Sequence, residues 1–405
     1  MDSMNWKNEN WWVSPFNYIE EVKEQLADMP KKVKFHDATL RDGEQTPGVV
    51  FTVEEKVEIA TMLDNIGVDR IEVALPAVSQ QDVDAVKAVV AKKLGAQIFV
   101  MSRGMESDID LAVECGVDGI ILELPLGEPR LHYQFAKWDE KQLFDKTLHC
   151  LNYAKSKGLE VVLFPMDCTR ADPGMFDRFL KTIAGNMIKP DSITLVDTTG
   201  CLIPQAAEFM VKKMKEITET IIEVHTHSEL GLGVSTSIAA VAAGADVVHT
   251  SVAGLGERTG NTPLEQVAVA LKTLMGVDMK LDFSKLTELA RRVTEIARFK
   301  LPLNKPIIGE RAFTRESGMG LDLIYNAPLA LFCIKPQFVG QEAEYVLGKK
   351  SGLASVEMKC SDLELAQLPE DGKKKLLAKI KELSINKKGL VTDEEFIELF
   401  KSLNV

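Results

Sequence analysis

Between residues 33 and 275, short apolar runs rich in β-branched residues alternate with longer stretches whose apolar positions recur at helical spacing. The runs are Val33–Leu40, Asp69–Leu75, Gln97–Met101, Gly119–Leu124, Glu160–Phe164, Ser192–Val196, Ile221–His225 and Asp246–Ser251. Apolar residues dominate both faces of each run, as expected of parallel strands covered by helices. Eight such βα units over this span match a closed (β/α)8 TIM barrel, which typically takes ~250 residues. Gly67, Gly116, Gly158 and Gly244 lie just ahead of runs and fit helix C-caps. A doubly wound open sheet gives no reason to stop at eight, and no Gly-rich turn follows the first run. The predicted fold is therefore α/β, a TIM barrel with a mainly helical C-terminal extension.

The flanks divide the chain further. Residues 1–30 hold Trp6, Trp11 and Trp12 and an amphipathic stretch Phe16–Ala27, predicting an aromatic arm and helix that docks on its own barrel or on a second subunit. The barrel is placed at 31–280. Residues 281–405 read as linker and helical subdomains: a helix over 283–300, a proline-marked loop region over 301–352 and a charged helical tail over 361–405.

Composition narrows the function classes. With 48 Lys+Arg against 60 Asp+Glu, the 405-residue chain carries a net charge of −12, which leaves no basic face for a nucleic acid. No stretch reaches the ~20 uninterrupted apolar residues of a membrane span, and Met1–Trp6 lacks a signal-peptide pattern, so a cytoplasmic protein is expected. Six cysteines without a C-x-x-C pair suggest neither a disulfide framework nor a zinc knuckle, and read as small buried hydrophobes.

In a TIM barrel, side chains at the carboxyl ends of the strands converge on one mouth. Those ends carry His36-Asp37-Ala-Thr-Leu-Arg41-Asp42-Gly-Glu44-Gln45, then Glu72, Glu123, Asp167, Asp197-Thr198, His225-Thr-His227 and the loop Gly254–Asn261. His225 and His227 flank one residue on a strand, so both imidazoles face the same side. With Asp42 from the neighbouring first strand they form two histidines and one acid with open positions, which suits a divalent cation such as magnesium, manganese or zinc that also binds substrate. His36 reads as structural, and His132, His149 and His249 as surface or satisfied core residues. Glu257 and Arg258 read as a possible mutual pair, and Lys349-Lys350 as a solvated turn.

The run Asp37–Gln45, then His225-Thr-His227, then Gly254-Leu-Gly-Glu-Arg-Thr-Gly-Asn261 closely resembles the signatures of the isopropylmalate, homocitrate and citramalate synthase family. Gly309–Gly318 and Val346–Gly352 resemble its linker motifs, so the likeness spans about 33–352. It implies a metal-dependent Claisen condensation in which an acyl-CoA, usually acetyl-CoA, adds to a 2-oxoacid and the thioester is hydrolysed. By position it implies Asp42, His225 and His227 as metal ligands with Asn261 nearby. It puts Arg41 beside the reacting carbonyl, with Gln45, Glu72 and Thr198 on the substrate and Asp167 in proton transfer. It also implies a homodimer.

The departures from the pattern matter. Ser228-Glu229 stand where the family has Asn-Asp, Gly320 where it has the second linker histidine, and Phe332 where it has a tyrosine. Glu123 adds a carboxylate to the mouth, so Glu123 or Asp167, with a pKa raised by burial, is expected as general base. Two other readings stay open on these residues: a lyase or aldolase of the hydroxymethylglutaryl-CoA lyase type, and a catalytically impaired homologue. Against the lyase, residues 254–262 lack the cysteine its loop carries. No regulatory domain, and hence no leucine-type feedback, is expected.

Overall fold

The computed structural model describes residues 5–403, and the expectation on Met1–Met4 lies outside them. Eight parallel strands close into a barrel in sequence order: β1 (Lys34–Asp37), β2 (Arg70–Glu72), β3 (Gln97–Ser102), β4 (Gly119–Pro125), β5 (Glu160–Met166), β6 (Ser192–Asp197), β7 (Ile221–Thr226) and β8 (Val247–Thr250). Closure is made by β8 against β1, with His36 opposite His249 and Asp37 opposite Thr250. Every strand pair is parallel, which obliges a return helix after each strand.

The helices start and stop where side-chain chemistry allows. Val53–Ile66 begins in a reciprocal cap between Thr52 and Glu55 and ends at Gly67, whose φ of 93° most residues avoid. Its buried face is Lys56, Ile59, Ala60, Leu63 and Ile66, an i, i+3, i+4, i+7, i+10 pattern. Among the described residues no helix is long and apolar enough to cross a membrane.

The barrel interior is polar at two levels. Strand alternation turns Arg70, Gln97, Glu160, Ser192 and Glu223 inward in the lower barrel. There Arg70 bonds Glu223 at 2.6 Å and also Glu160, and Ser192 reaches Glu223 at 2.6 Å. His249 pairs with the same Glu223 at 2.6 Å and stacks on His36 with ring centroids 4.4 Å apart. His249 is thus a barrel-interior residue whose partner lies on another strand.

The chain divides into two compact units, one from Ser14 to Leu301 and one comprising the segment up to Val13 with Pro302 onward. The boundaries expected at 30 and 280 therefore move to 13 and 301. Helix Leu286–Ile296 stays with the barrel unit because Leu286, Leu289, Ala290 and Val293 form one buried stripe. The aromatic arm is also redistributed. Helix Glu20–Gln25 goes with the barrel unit, while residues 5–13 go with the C-terminal unit. Within the latter, the Trp12 amide donates to the Cys333 carbonyl at 2.9 Å and Trp11 packs on Phe338. The backbone pairing outweighs the amphipathic pattern that grouped these residues with Phe16–Ala27. The rest of this unit holds a two-stranded parallel sheet of Thr314–Arg315 and Glu344–Tyr345, the short helix Leu323–Asn326, and three longer helices, Leu353–Asp362, Glu370–Lys387 and Asp393–Lys401, around Leu347, Val356, Leu376, Ile380 and Phe396. All six cysteines are free thiols, and Cys201 and Cys333 are exposed rather than buried.

Candidate active site and metal centre

Alternation along β7 does the first positioning. His225 and the following His227 turn inward, while Thr226 between them turns out into a knot of hydroxyls with Thr262 at 2.6 Å and Ser237 at 2.9 Å. The knot fixes the strand end, and with it the pitch of both imidazoles. Their Nε2 atoms lie 3.2 Å apart, and Asp42 Oδ2 lies 3.7 Å from each.

Asp42 is delivered by the tight turn after β1, in which the Arg41 and Gly43 amides both return to the Ala38 carbonyl. Its other oxygen accepts the Glu257 amide at 3.2 Å, and Thr46 is bonded to both the amide and the carbonyl of Gly256. The β1 and β8 loops are thereby stitched together. Gly260 is required in the second loop: with φ of 87°, a Cβ there would lie 1.9 Å from the Gly254 carbonyl oxygen.

The donor set fits a divalent cation. Ligand atoms about 2.0–2.1 Å from one ion, separated by right or tetrahedral angles, lie roughly 2.8–3.4 Å from one another. The imidazole separation falls in that window, and the carboxylate oxygen lies just outside it. His225 is held neutral, as a ligand must be, because burial lowers its pKa well below the usual value, with His227 adding to the effect. Burial pushes the Asp42 carboxyl upward, but the charge of Arg41 and the two histidines overrule it and hold Asp42 well below the usual carboxylate range. Asn261 gives its amide to the Leu255 carbonyl, and its buried Oδ1 has no partner, so it is aimed as a further donor. Asp42, His225, His227 and Asn261 are the residues that would hold the ion.

Arg41 is locked beside them. Its Nε and Nη2 grip Glu72 at 2.6 and 3.1 Å, and its Nη1 reaches Asp42 at 2.9 Å and Gln45 at 3.2 Å. Burial opposes its charge, but Glu72 and Asp42 outweigh burial and raise its pKa. Of five N–H donors one on Nη2 is left over. Glu72, expected on the substrate carboxylate, instead spends both oxygens on Arg41, since an acid beside a guanidinium pairs with it before repelling a substrate anion. Gln45 likewise supports Arg41.

Glu123 and Asp167, the two candidate bases, part company here. Glu123 faces inward on β4 with no hydrogen bond or ion pair among the described residues. Burial raises its pKa; Arg41 opposes and Glu72 adds to the rise. Asp167 falls out of the inward register set by Phe164, which packs on His225. It has φ of 62°, and both its oxygens accept from Arg170 at 2.7–3.0 Å. The structure assigns it to pinning a loop, with Thr198 Oγ1 accepting its amide at 2.9 Å. One residue of register separates it from Met166, the inward position.

Glu229, where the family has Asp, pairs with Arg258, which also donates to the Thr198 carbonyl and meets Glu257 at 2.6 Å. The expected Glu257–Arg258 pair is thus part of a latch joining three loops. Next to Arg41 and Gln45 lies a cavity of about 390 Å³ walled by Val50, Phe51, Ala74, Leu75, Val78 and Met101. Its acids Glu44 and Asp82 are spent on Lys56 at 2.7 and 3.3 Å.

Comparison with known proteins adds the following. The HMGL-like family profile matches residues 32–293, and the profile described as homocitrate synthase post-HMGL domain-like matches 307–388. Homocitrate synthase AksA of Methanopyrus kandleri is 36% identical over 386 residues, covering 95% of this chain and 96% of its own. The 2-isopropylmalate synthase of Methanocaldococcus jannaschii is 35% identical, covering 93% of this chain and 73% of its own length. The (R)-citramalate synthase CimA of the same organism is 35% identical over 86% of this chain and 70% of its own. Among solved structures, the HMG-CoA lyase of Bacillus subtilis superposes with a TM-score of 0.60 at 19% identity, covering 68% of this chain and 96% of that one, a likeness of fold alone.

Proposed function

The chain belongs to the HMGL-like family, with a homocitrate-synthase-type domain following the barrel in sequence, and from that premise we propose that it condenses acetyl-CoA with a 2-oxoacid. The reaction joins the acetyl methyl carbon to the keto carbon, and water then cleaves the thioester, giving a 2-hydroxy diacid, free CoA and a proton. The observation that carries this reading is the convergence of Asp42, His225 and His227 beside the single uncommitted N–H of Arg41.

A bound divalent cation supplies Lewis acidity toward the keto group and a grip on the oxoacid carboxylate. Arg41, immobilised by Glu72, Asp42 and Gln45, offers its remaining Nη2 hydrogen to the alkoxide that develops on the keto oxygen. Glu123, unpartnered and with a pKa raised by burial, takes the methyl proton of the acetyl group. Thr198 keeps a hydroxyl hydrogen for the substrate carboxylate, since its oxygen is used only as an acceptor of the Asp167 amide. Asp167 acts on the reaction only by holding that loop.

The cavity beside Arg41 supports an oxoacid with an uncharged substituent. Half of its lining is apolar, its two carboxylates, Glu44 and Asp82, would repel an anion, and its one lining cation, Arg41, is already held by acids, so a second substrate carboxylate would go unpaired there. This favours a 2-alkylmalate-type product over a homocitrate-type one. The lyase reading is weaker, because the likeness to lyase structures is one of fold alone and residues 254–262 contain no cysteine.

The test pairs acetyl-CoA with pyruvate, 2-oxobutyrate, 2-oxoisovalerate and 2-oxoglutarate in the presence of magnesium, manganese or zinc, following free thiol and product mass. Turnover with an alkyl oxoacid at a kcat/KM at least ten times that of 2-oxoglutarate is expected. Preference for 2-oxoglutarate removes the substituent assignment, and no thiol from any oxoacid overturns the condensing function.

A further inference from the structure

Helix Val53–Ile66 carries a lysine on its buried face: Lys56 is 2% exposed, in a stripe otherwise filled by Ile59, Ala60, Leu63 and Ile66. A buried ammonium is costly unless it is paired, so its partners say what it is kept for. Lys56 Nζ lies 2.7 Å from Glu44 and 3.3 Å from Asp82, and donates to the Val73 carbonyl at 3.1 Å. Three N–H groups face three oxygens, which leaves none for a ligand. None of the reaction steps above uses this residue.

The three oxygens come from three elements that bracket Arg41 and its cavity. Glu44 sits in the turn Gly43–Gln45, next to Gln45, which accepts from Arg41 at 3.2 Å. Val73 follows Glu72, whose two oxygens grip the same guanidinium at 2.6 and 3.1 Å. Asp82 lies in the first turn of helix Gln80–Val90, where its other oxygen accepts the Ser79 hydroxyl at 2.6 Å. The second oxygen of Glu44 takes the Phe51 amide at 2.7 Å, and the Phe51 carbonyl accepts from the Gln81 side chain at 3.1 Å. The cavity residues on the first-strand side, Val50 and Phe51, are thus tied to those on the second-strand side, Ala74, Leu75 and Val78, through a single ammonium that does not itself line the cavity.

We propose that Lys56 is a positioning residue whose ammonium sets the separation between the turn that carries Arg41 and Gln45 and the strand end that carries Glu72, and with it the width of the cavity for the oxoacid substituent. Its effect on the substituent rests on the condensing reading above, whereas its hold on Arg41 stands on the geometry alone. Among the described residues Lys56 is the one cation paired with Glu44 or Asp82. With the ammonium gone the two acids repel each other and push the turn and the helix start apart. A displacement of about 1 Å in a group that orients a substrate can cost roughly 100-fold in rate. The Arg41 hydrogen offered to the keto oxygen is therefore sensitive to this strut, although Lys56 touches no substrate.

The test uses the full chain and two variants. Lys56→Met removes the ammonium; Lys56→Met/Glu44→Gln/Asp82→Asn removes it without stranding a carboxylate, and carries the test should the single variant fold poorly. Chains labelled with 15N-arginine give the hydrogen-exchange rate of the Arg41 Nε–H, assigned by its loss in Arg41→Lys. That exchange is expected to speed up at least tenfold in both variants. In turnover with metal, the variants raise KM for 2-oxoisovalerate at least tenfold and lower kcat by roughly tenfold to 100-fold. They also bring the kcat/KM values of pyruvate and 2-oxoisovalerate at least threefold closer together, while KM for acetyl-CoA and the metal content stay level. A lysine that only stabilised the fold would lower the folded fraction, and with it kcat per chain. KM, the ratio between oxoacids and the Arg41 exchange rate would then stay at the wild-type values, and that result in a folded variant overturns the proposal. Faster exchange with an unchanged oxoacid ratio keeps the hold on Arg41 and removes the effect on the substituent. Absence of thiol release from wild type with every oxoacid overturns the condensing reading alone, because the exchange rate still decides the hold on Arg41.

Discussion

At the rim of the barrel Asp42, His225 and His227 bring one carboxylate and two imidazoles within 4.8 Å of one another, and one turn of alternation lower His36, Glu223 and His249 do the same. The two sets differ in what they have already spent. The Nε2 atoms of His225 and His227 face each other across 3.2 Å, with Asp42 equidistant and hydrogen-bonded to neither. In the lower set the rings of His36 and His249 lie parallel, stacked face to face, and Glu223 is already held by Arg70, Ser192 and His249 at 2.6 Å each. A dication placed there would sit against a guanidinium with no opening to substrate. Residue type names a ligand set; ring orientation and prior pairing decide whether it can grip an ion.

The sharpest break of this contrast is Asp42→Ala. Metal per chain is expected to fall from one to below a tenth by elemental analysis, and turnover by at least about 1,000-fold, near 4 kcal/mol of transition-state stabilisation. Chelator treatment of wild type should give the same loss, reversed by adding the metal back. A variant that keeps both ion and turnover would move the metal elsewhere.

Glu223→Ala should do the converse. Removing one partner of a fully buried pair strands Arg70, with Glu160 its remaining acid, at a cost of about 3–5 kcal/mol in urea unfolding. Metal content should stay at one per chain. An equal loss of metal in both variants would merge the two clusters into one site.

How much of this was legible beforehand follows from the range of each interaction. Strand faces repeat every two residues, so the eight strands and the inward pair His225 and His227 could be read locally. Asp42 came from a motif on the adjacent strand. The lower layer could not be read, because Arg70 and Glu223 lie 153 residues apart and no local pattern records which inward residue of one strand meets which of another. The same holds for Glu72, seen as an inward acid without its guanidinium. Asp167 failed by a single residue: the left-handed turn that takes it out of register has no period to betray it. The tryptophan segment was grouped by composition, whereas a backbone pairing to Cys333 places it.

The smallest effect sharpens the rule that a buried carboxylate is tolerable where a cation is already present. Asp37 alternates with His36 on β1 and is fully buried, yet its oxygens meet uncharged donors: the Thr39 amide at 3.0 Å, the Thr39 hydroxyl, and the Thr250 hydroxyl at 3.4 Å. Burial therefore raises its pKa to about 7, the Thr39 and Thr250 donors opposing, where Arg41 holds Asp42 low. The folded state keeps a proton here that the unfolded chain releases near its ordinary value of 3.8. Between those values the folded form binds more protons, so stability falls as pH rises, and the cost is complete above about 7. Asp37→Asn keeps the acceptor for Thr39 and removes the titration. Its advantage over wild type in urea unfolding should grow from pH 4 to pH 7 and level off above. A difference that stays constant across that range would mean Asp37 is ionised in the folded protein, and that uncharged donors suffice where Asp42 has a guanidinium.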